Sequence, residues 1–238
     1  MLTTTVEAVT KLGRDDRHAL FTLFRRYYDS VSFERFDRDL SNKDSVFLMR
    51  DPDGCIRGFS TLVVMNGTYE GATIKVVFSG DTVIDKSHWG SPSFAFAWIE
   101  RIGALASQAP EIPLYWLLIV KGHRTYRYLP TFGVDFIPDW RKPIDLRLAG
   151  IRDSLASDRF GVAYDRDAGV VRFATSQGHL AREWACISDR ERKRPDVRFF
   201  LERNPGYVMG EELVCLCELK RDNMRPLTRR LFDRGRGR

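Results

Sequence analysis

Three stretches hold side chains whose type and spacing could do chemistry. Asp85-Lys86-Ser87-His88-Trp89-Gly90-Ser91-Pro92 is a polar, glycine-containing loop that runs into an apolar-periodic segment. A helix starting there would offer unsatisfied N–H donors and a partial positive charge, a ready seat for phosphate, with Lys86 as an added mobile cation. Lys121, His123 and Arg124 directly follow the apolar run LYWLLIV and could hold a phosphate or a substrate carboxylate. Cys215 and Cys217 are spaced C-x-C in an apolar stretch, so a strand would turn both to one face. Without a second cysteine pair or two histidines four residues apart, they read as small buried hydrophobes, and no metal is expected. Neither a G-x-S-x-G elbow nor a P-loop occurs.

The elements that must position these residues are partly legible. Leu20, Leu23, Phe24 and Tyr27 recur at helical spacing over 15–29, and Phe33, Phe36 and Leu40 mark a second short helix. Strands are expected at 45–49, 55–65 and 72–84, with turns at Asp51-Pro52-Asp53-Gly54 and at Asn66-Gly67, a strong hairpin signal. The period then changes. Phe94, Trp98, Ile99, Ile102 and Leu105 predict a helix over 93–107, with Pro92 suited to its first turn. The run 114–120, bounded by Pro113 and Gly122, predicts a fully buried strand. A helix over 124–131 and a short strand over 134–137 follow. Further on, helices are expected at 144–157, 178–194 and 195–203, a short strand at 169–175, and a strand at 212–219.

Composition bounds the classes. The chain has 238 residues, 43% hydrophobic and 29% charged, enough apolar material for a core, which excludes intrinsic disorder as the main state. No apolar stretch approaches the roughly 20 residues that a membrane-spanning helix needs. MLTTTVEAVTK lacks a basic start and an apolar run, so a cytoplasmic location is expected. The net charge of +6 equals the charge of residues 220–238, which hold eight basic against two acidic side chains. That glycine-arginine-rich end reads as a flexible tail, or as an arm for an acidic partner such as a carrier protein. It lacks interleaved aromatics for base stacking, so nucleic acid is the weaker partner.

Two helices, an antiparallel meander, a loop into a helix, a buried strand, a short helix and a strand make an order that resembles the GNAT superfamily of acyl-CoA-dependent N-acyltransferases. The segments carrying it are TVIDKSHWGSPSF, 82–94, and YWLLIVKGHRTYRYLPTFGVDFIP, 115–138. The chain departs from the family's (Arg/Gln)-x-x-Gly-x-(Gly/Ala) loop, having Ser87-x-x-Gly90-x-Pro92, and it has Gly133-Val134 in place of Gly-Phe. The resemblance implies an α/β (α+β) fold whose mixed, largely antiparallel central sheet is flanked by helices. It places an acyltransferase core at 1–138. An additional C-terminal α/β lobe or substrate cap is then expected at 139–222, and the basic tail at 223–238.

The resemblance also implies a reaction and its residues. The co-substrate would be acyl-CoA or an acylated, acidic carrier protein, and the acceptor an amine-bearing small molecule or peptide. Lys86, Ser87, Trp89, Gly90, Ser91 and Arg124 would hold the donor. A base on or beside the third meander strand would be Asp81, Asp85 or His88, of which His88 has the best-suited ordinary pKa. Tyr126 or Tyr128 would protonate the leaving thiolate, and only one can face the groove because residues two apart on a helix diverge. The competing readings are a binding module that kept the fold without the chemistry, and a transferase acting on a tRNA-borne acyl group.

Overall fold

Runs that are apolar at every position form the centre of the sheet, because both of its faces are covered. A computed structural model describes residues 2–237. Its first part comprises β1 (Thr3–Ala8), α1 (Arg14–Phe24), β2 (Tyr28–Asp29), α2 (Phe33–Ser41), β3 (Ser45–Arg50), β4 (Ile56–Tyr69) and β5 (Ala72–Ile84). The middle comprises α3 (Ser93–Ser107), β6 (Leu114–Val120), α4 (His123–Tyr126), α5 (Tyr128–Phe132) and β7 (Phe136–Ile137). Then come α6 (Leu146–Phe160), β8 (Tyr164–Asp165), β9 (Val170–Val171), β10 (His179–Leu180), α7 (Arg182–Ala185), α8 (Asp189–Arg192), α9 (Pro195–Arg203), β11 (Glu212–Glu218) and α10 (Pro226–Arg236).

Among the described residues the main sheet runs β1-β3-β4-β5-β6-β11-β9-β8, with β7 also on β11. All its pairings are antiparallel except β5 with β6. The architecture is therefore mixed α/β, a largely antiparallel sheet flanked by helices, in the order that the resemblance implies. Period-2 alternation divides the strands between two cores. Trp116, Leu118, Leu213 and Cys215 face α3 with Trp98 and Ile102, whereas Tyr115, Leu117, Val214 and Leu216 face α6 with Ile151 and Leu155. Cys217 lies with Cys215 on the α3 face, both buried. A third core, with Leu20, Phe36, Leu40 and Phe59, sits under α1 and α2.

The structure corrects several expectations. Asn66-Gly67 is not a turn: β4 runs through it, pairing Asn66 with Lys75 and Gly67 with Ile74. The chain reverses at Glu70-Gly71, where both residues have positive φ, 50° and 79°, as a type I′ turn requires. The first helix ends at Phe24, and the stretch 124–131 is split between α4 and α5. The expected helix at 178–194 is β10, α7 and α8, because β10 pairs with β2 and a Ser188–Glu191 capping box starts a new helix. Residues 139–222 do not form a separate lobe, since β11 lies inside the main sheet beside β6.

The basic end is likewise not a free tail. Residues 226–236 are helix α10, with Leu231 at 4% and Phe232 at 1% exposure. It crosses α3 through two glycines. A Cβ on Gly103 would collide with the Phe232 carbonyl oxygen, and one on Gly235 with the Glu100 carbonyl oxygen. Arg234 adds an ion pair to Glu100 at 3.0 Å. Burying two side chains of this size contributes roughly 1.5–3 kcal/mol each, so the arginine-rich composition hides a docking face.

Candidate active site

A wedge between the two parallel strands creates the site. Pairing of β5 with β6 runs from Lys75–Leu114 to Ser79–Leu118 and stops, while both strands continue. Against β4 the register shifts between Ser60–Thr82 and Leu62–Ser79, which puts one extra residue into β5 at Gly80-Asp81. Such a bulge bends its strand and re-aims its side chains. The apex is fixed by Trp116 Nε1 donating to Ser79 Oγ at 2.7 Å and by the Ser60 and Thr82 hydroxyls at 2.7 Å. Two cavities open from this wedge, one on each side, and both are bordered by Tyr28, Thr82 and Thr125.

The groove on the α3 side has a volume of about 430 Å³. Four residues expected at a donor site, Trp89, Gly90, Ser91 and Arg124, line it together with Tyr128. Gly90 has φ +90° and no atom within 4 Å of where a Cβ would stand, so backbone conformation and not crowding calls for glycine. The wall is an aromatic–cation stack. Trp89 and Trp184 meet edge to face at 5.5 Å, Arg124 lies 5.3 Å over Trp89, and Lys86 Nζ lies 5.3 Å over Trp184. Trp89 Nε1 donates to the Ile84 carbonyl at 2.8 Å, and Arg124 donates to the Trp184 carbonyl at 2.9 Å and to Glu191 at 3.3 Å. Hydrogen bonds from Ser188, helped by Arg124 and His123, hold the Glu191 carboxyl down at about 2. Burial and Arg124 lower His123, while Glu191 at 3.3 Å opposes the shift. Trp184 and Glu191 carry no signal as site residues in the sequence, because the stretch 178–194 has the pattern of one long helix whereas it folds as β10, α7 and α8.

Other expected residues fall elsewhere. Ser87 donates its hydroxyl at 2.6 Å and its amide at 3.1 Å to Asp85, which turns it away from the groove and lowers Asp85. Lys86 stays at the rim on Trp184 and is not among the lining residues. His88 sits half-buried on a 3₁₀ turn and lines neither cavity, so its side chain is not placed to take a proton there. Tyr126 lines neither cavity. It is fully buried, and its hydroxyl donates to the Pro138 carbonyl at 2.7 Å. Tyr128 is the one of the pair that faces the groove, and burial raises its pKa, so it carries its proton at neutral pH.

The cavity on the other side has a volume of about 210 Å³ and is lined by charges. Asp81, at the bulge, is pushed up to about 6, first by burial and then by Asp39, while Lys43 and Lys121 oppose the shift. Lys121 pairs with Glu212 at 3.1 Å, and Lys43 with Asp39 at 2.9 Å. Burial alone would lower Lys121, and the Glu212 and Asp81 carboxylates more than reverse it. Burial also raises Tyr28. Of this set, sequence reasoning had singled out Asp81 and Lys121. Glu212 carried one weak signal, a carboxylate opening a strand buried on both faces, and Asp39 and Lys43 carried none.

No protein-family model matches the sequence, and no curated protein does. Solved structures do match. One is a probable N-acyltransferase of unknown function from Enterococcus faecalis, 15% identical over 56% of this chain and 33% of that chain, with a TM-score of 0.41. This chain thus spans about a third of that protein's length. Another is a GNAT family N-acetyltransferase from Escherichia coli in complex with CoA, 11% identical over 56% of this chain and 69% of that chain, TM-score 0.38. A third is the glucosamine-6-phosphate N-acetyltransferase of Arabidopsis thaliana, 16% identical over 53% of this chain and 89% of that chain, TM-score 0.37.

Proposed function

We propose that the chain is an N-acyltransferase that takes an acyl thioester in the α3-side groove and delivers the acyl group to an amine in the charged cavity. The observation carrying this reading is the wedge itself: two cavities of different chemistry share Tyr28, Thr82 and Thr125 at their meeting point. Groups bound on either side are brought together there, which is what a transfer between two bound molecules requires.

In the proposed reaction the amine nitrogen attacks the thioester carbonyl carbon. The C–N bond forms, the C–S bond breaks, and the amine loses one proton. Asp81 takes that proton, directly or through water, since a carboxylate held near 6 is ionised at neutral pH yet basic enough to serve. Tyr128 hands its proton to the departing thiolate, and solvent restores both groups. The donor is acyl-CoA. Its phosphates would lie against the Gly90–Ser91 backbone and the Arg124 guanidinium, where a fixed cation and a helix start favour anions.

Tyr128→Phe keeps the ring and removes only the proton. Its kcat with acetyl-CoA should fall by about tenfold to a hundredfold, somewhat below the range typical of general acids, with the affinity for CoA unchanged by calorimetry. Wild-type turnover in this variant would take Tyr128 out of the reaction. Failure of the native protein to bind CoA at all would favour the reading as a binding module without the chemistry.

A further inference from the structure

The charged cavity has a pattern that selects its occupant. Among the described residues, Asp81 has neither a hydrogen-bond donor nor an ion-pair partner within 4.0 Å, although it borders the cavity. The neighbouring cations are already engaged, Lys43 by Asp39 at 2.9 Å and Lys121 by Glu212 at 3.1 Å. Two guanidinium groups on the α2 and α6 walls are in the opposite condition. Arg35 donates to the Ser176 carbonyl, and Arg159 lies 3.8 Å over the Phe78 ring with Met65 Sδ at 3.2 Å. Neither has a carboxylate within ion-pair distance among the described residues, and both line the cavity. Arg159 is lowered by burial, so an anion beside it would relieve an uncompensated charge.

We propose that the acceptor is a small amine that also bears an anionic group, a carboxylate or a phosphate, with its nitrogen at Asp81 and its anion at Arg35 and Arg159. A guanidinium is suited to both kinds of oxyanion because its fork of donors matches their geometry. The volume, about 210 Å³, lies below the roughly 300–1,000 Å³ of sites for drug-sized ligands, which points to a small metabolite. The role of this compound as acceptor rests on the acyl-transfer reading. Its charge preference does not.

The test uses full-length protein and two matched pairs, L-phenylalanine with phenethylamine and O-phosphoethanolamine with ethanolamine. Each pair differs only in the anionic group, and comparing the pairs separates carboxylate from phosphate. By calorimetry, the anionic member of at least one pair should bind at least tenfold more tightly than its partner. Arg159→Gln and Arg35→Gln should each weaken that compound about tenfold and leave the partner amine and CoA unaffected. Equal binding within both pairs, binding of none of the four, or equal losses for both members of a pair would overturn the proposal. The acyl-transfer reading fails separately: if the anionic amine binds and responds to the arginine substitutions but acetyl-CoA yields no acylated product, the charge preference stands and the chemistry does not.

Discussion

The two sides of the wedge are built from opposite materials. On the α3 side two cations lean on aromatic faces, Arg124 on Trp89 and Lys86 on Trp184, and Arg124 also donates to the Trp184 carbonyl. On the other side the charges are packed into a small space, and among the described residues Asp81 is left without a hydrogen-bond or ion-pair partner. The first arrangement holds a positive wall in place. The second shifts a pKa toward neutrality. In the proposed reaction, recognition and proton transfer are divided between the two halves of one gap, and each half should be breakable alone.

The largest effect is expected at Asp81. Asp81→Asn removes the proposed base and should lower kcat about 10²- to 10⁴-fold, while CoA titrates as in the native protein. The pH dependence has a definite sign. Asp81 must be ionised to accept a proton, so the native rate should rise with pH through about 6, and that limb should vanish in Asp81→Asn. For stability the sign is opposite. The folded chain holds the Asp81 proton more tightly than the unfolded chain, so this group costs stability once pH exceeds its ordinary value near 3.8. Asp81→Asn should therefore melt higher than the native protein at pH 7. A lower melting temperature together with full activity would remove Asp81 from both roles.

Phe232→Ala attacks the other half. Phe232 fixes α10 to α3, and α3 carries the start of the donor groove. Truncating a fully buried Phe costs about 3–5 kcal/mol, which denaturant unfolding would show as a shift in midpoint at an unchanged slope. An unfolding curve indistinguishable from the native one would mean that the C-terminal helix does not dock.

How far the sequence could be read follows the same division. The helix Ser93–Ser107 and the strand Leu114–Val120 were legible residue for residue, because their periodicity is local and bounded by Pro92, Pro113 and Gly122. The groove-lining stretch Trp89-Gly90-Ser91 was legible as a polar, glycine-containing loop before a helix. What could not be read depends on distant partners. Asn66-Gly67 obeys a local turn rule, yet the four pairs from Asn66–Lys75 to Tyr69–Ala72 keep the strands together and move the turn to Glu70-Gly71. Tyr126 and Tyr128 look alike in sequence, and only the Pro138 carbonyl decides between them. The charged cavity joins α2, β5, the end of β6 and β11, with Asp39 and Glu212 far apart in the chain. In α10, two apolar residues and a glycine dock a helix whose overall composition is that of a solvated tail.

The smallest effect is expected where the ordinary pKa made the strongest case. His88→Ala should change kcat less than twofold across pH 6–9, since that side chain borders neither cavity. A steady-state pH profile of this variant that loses the limb near 6 would return the base role to His88.

A crystal structure of the protein with CoA decides whether one gap in the sheet brings a thioester and an amine together. Density is expected along the α3-side groove. The phosphates should lie at Gly90, Ser91 and Arg124, and the thiol should reach Tyr128 and the meeting point of the two cavities at Thr82 and Thr125. CoA bound anywhere else, or with its thiol remote from Tyr128, would contradict that arrangement.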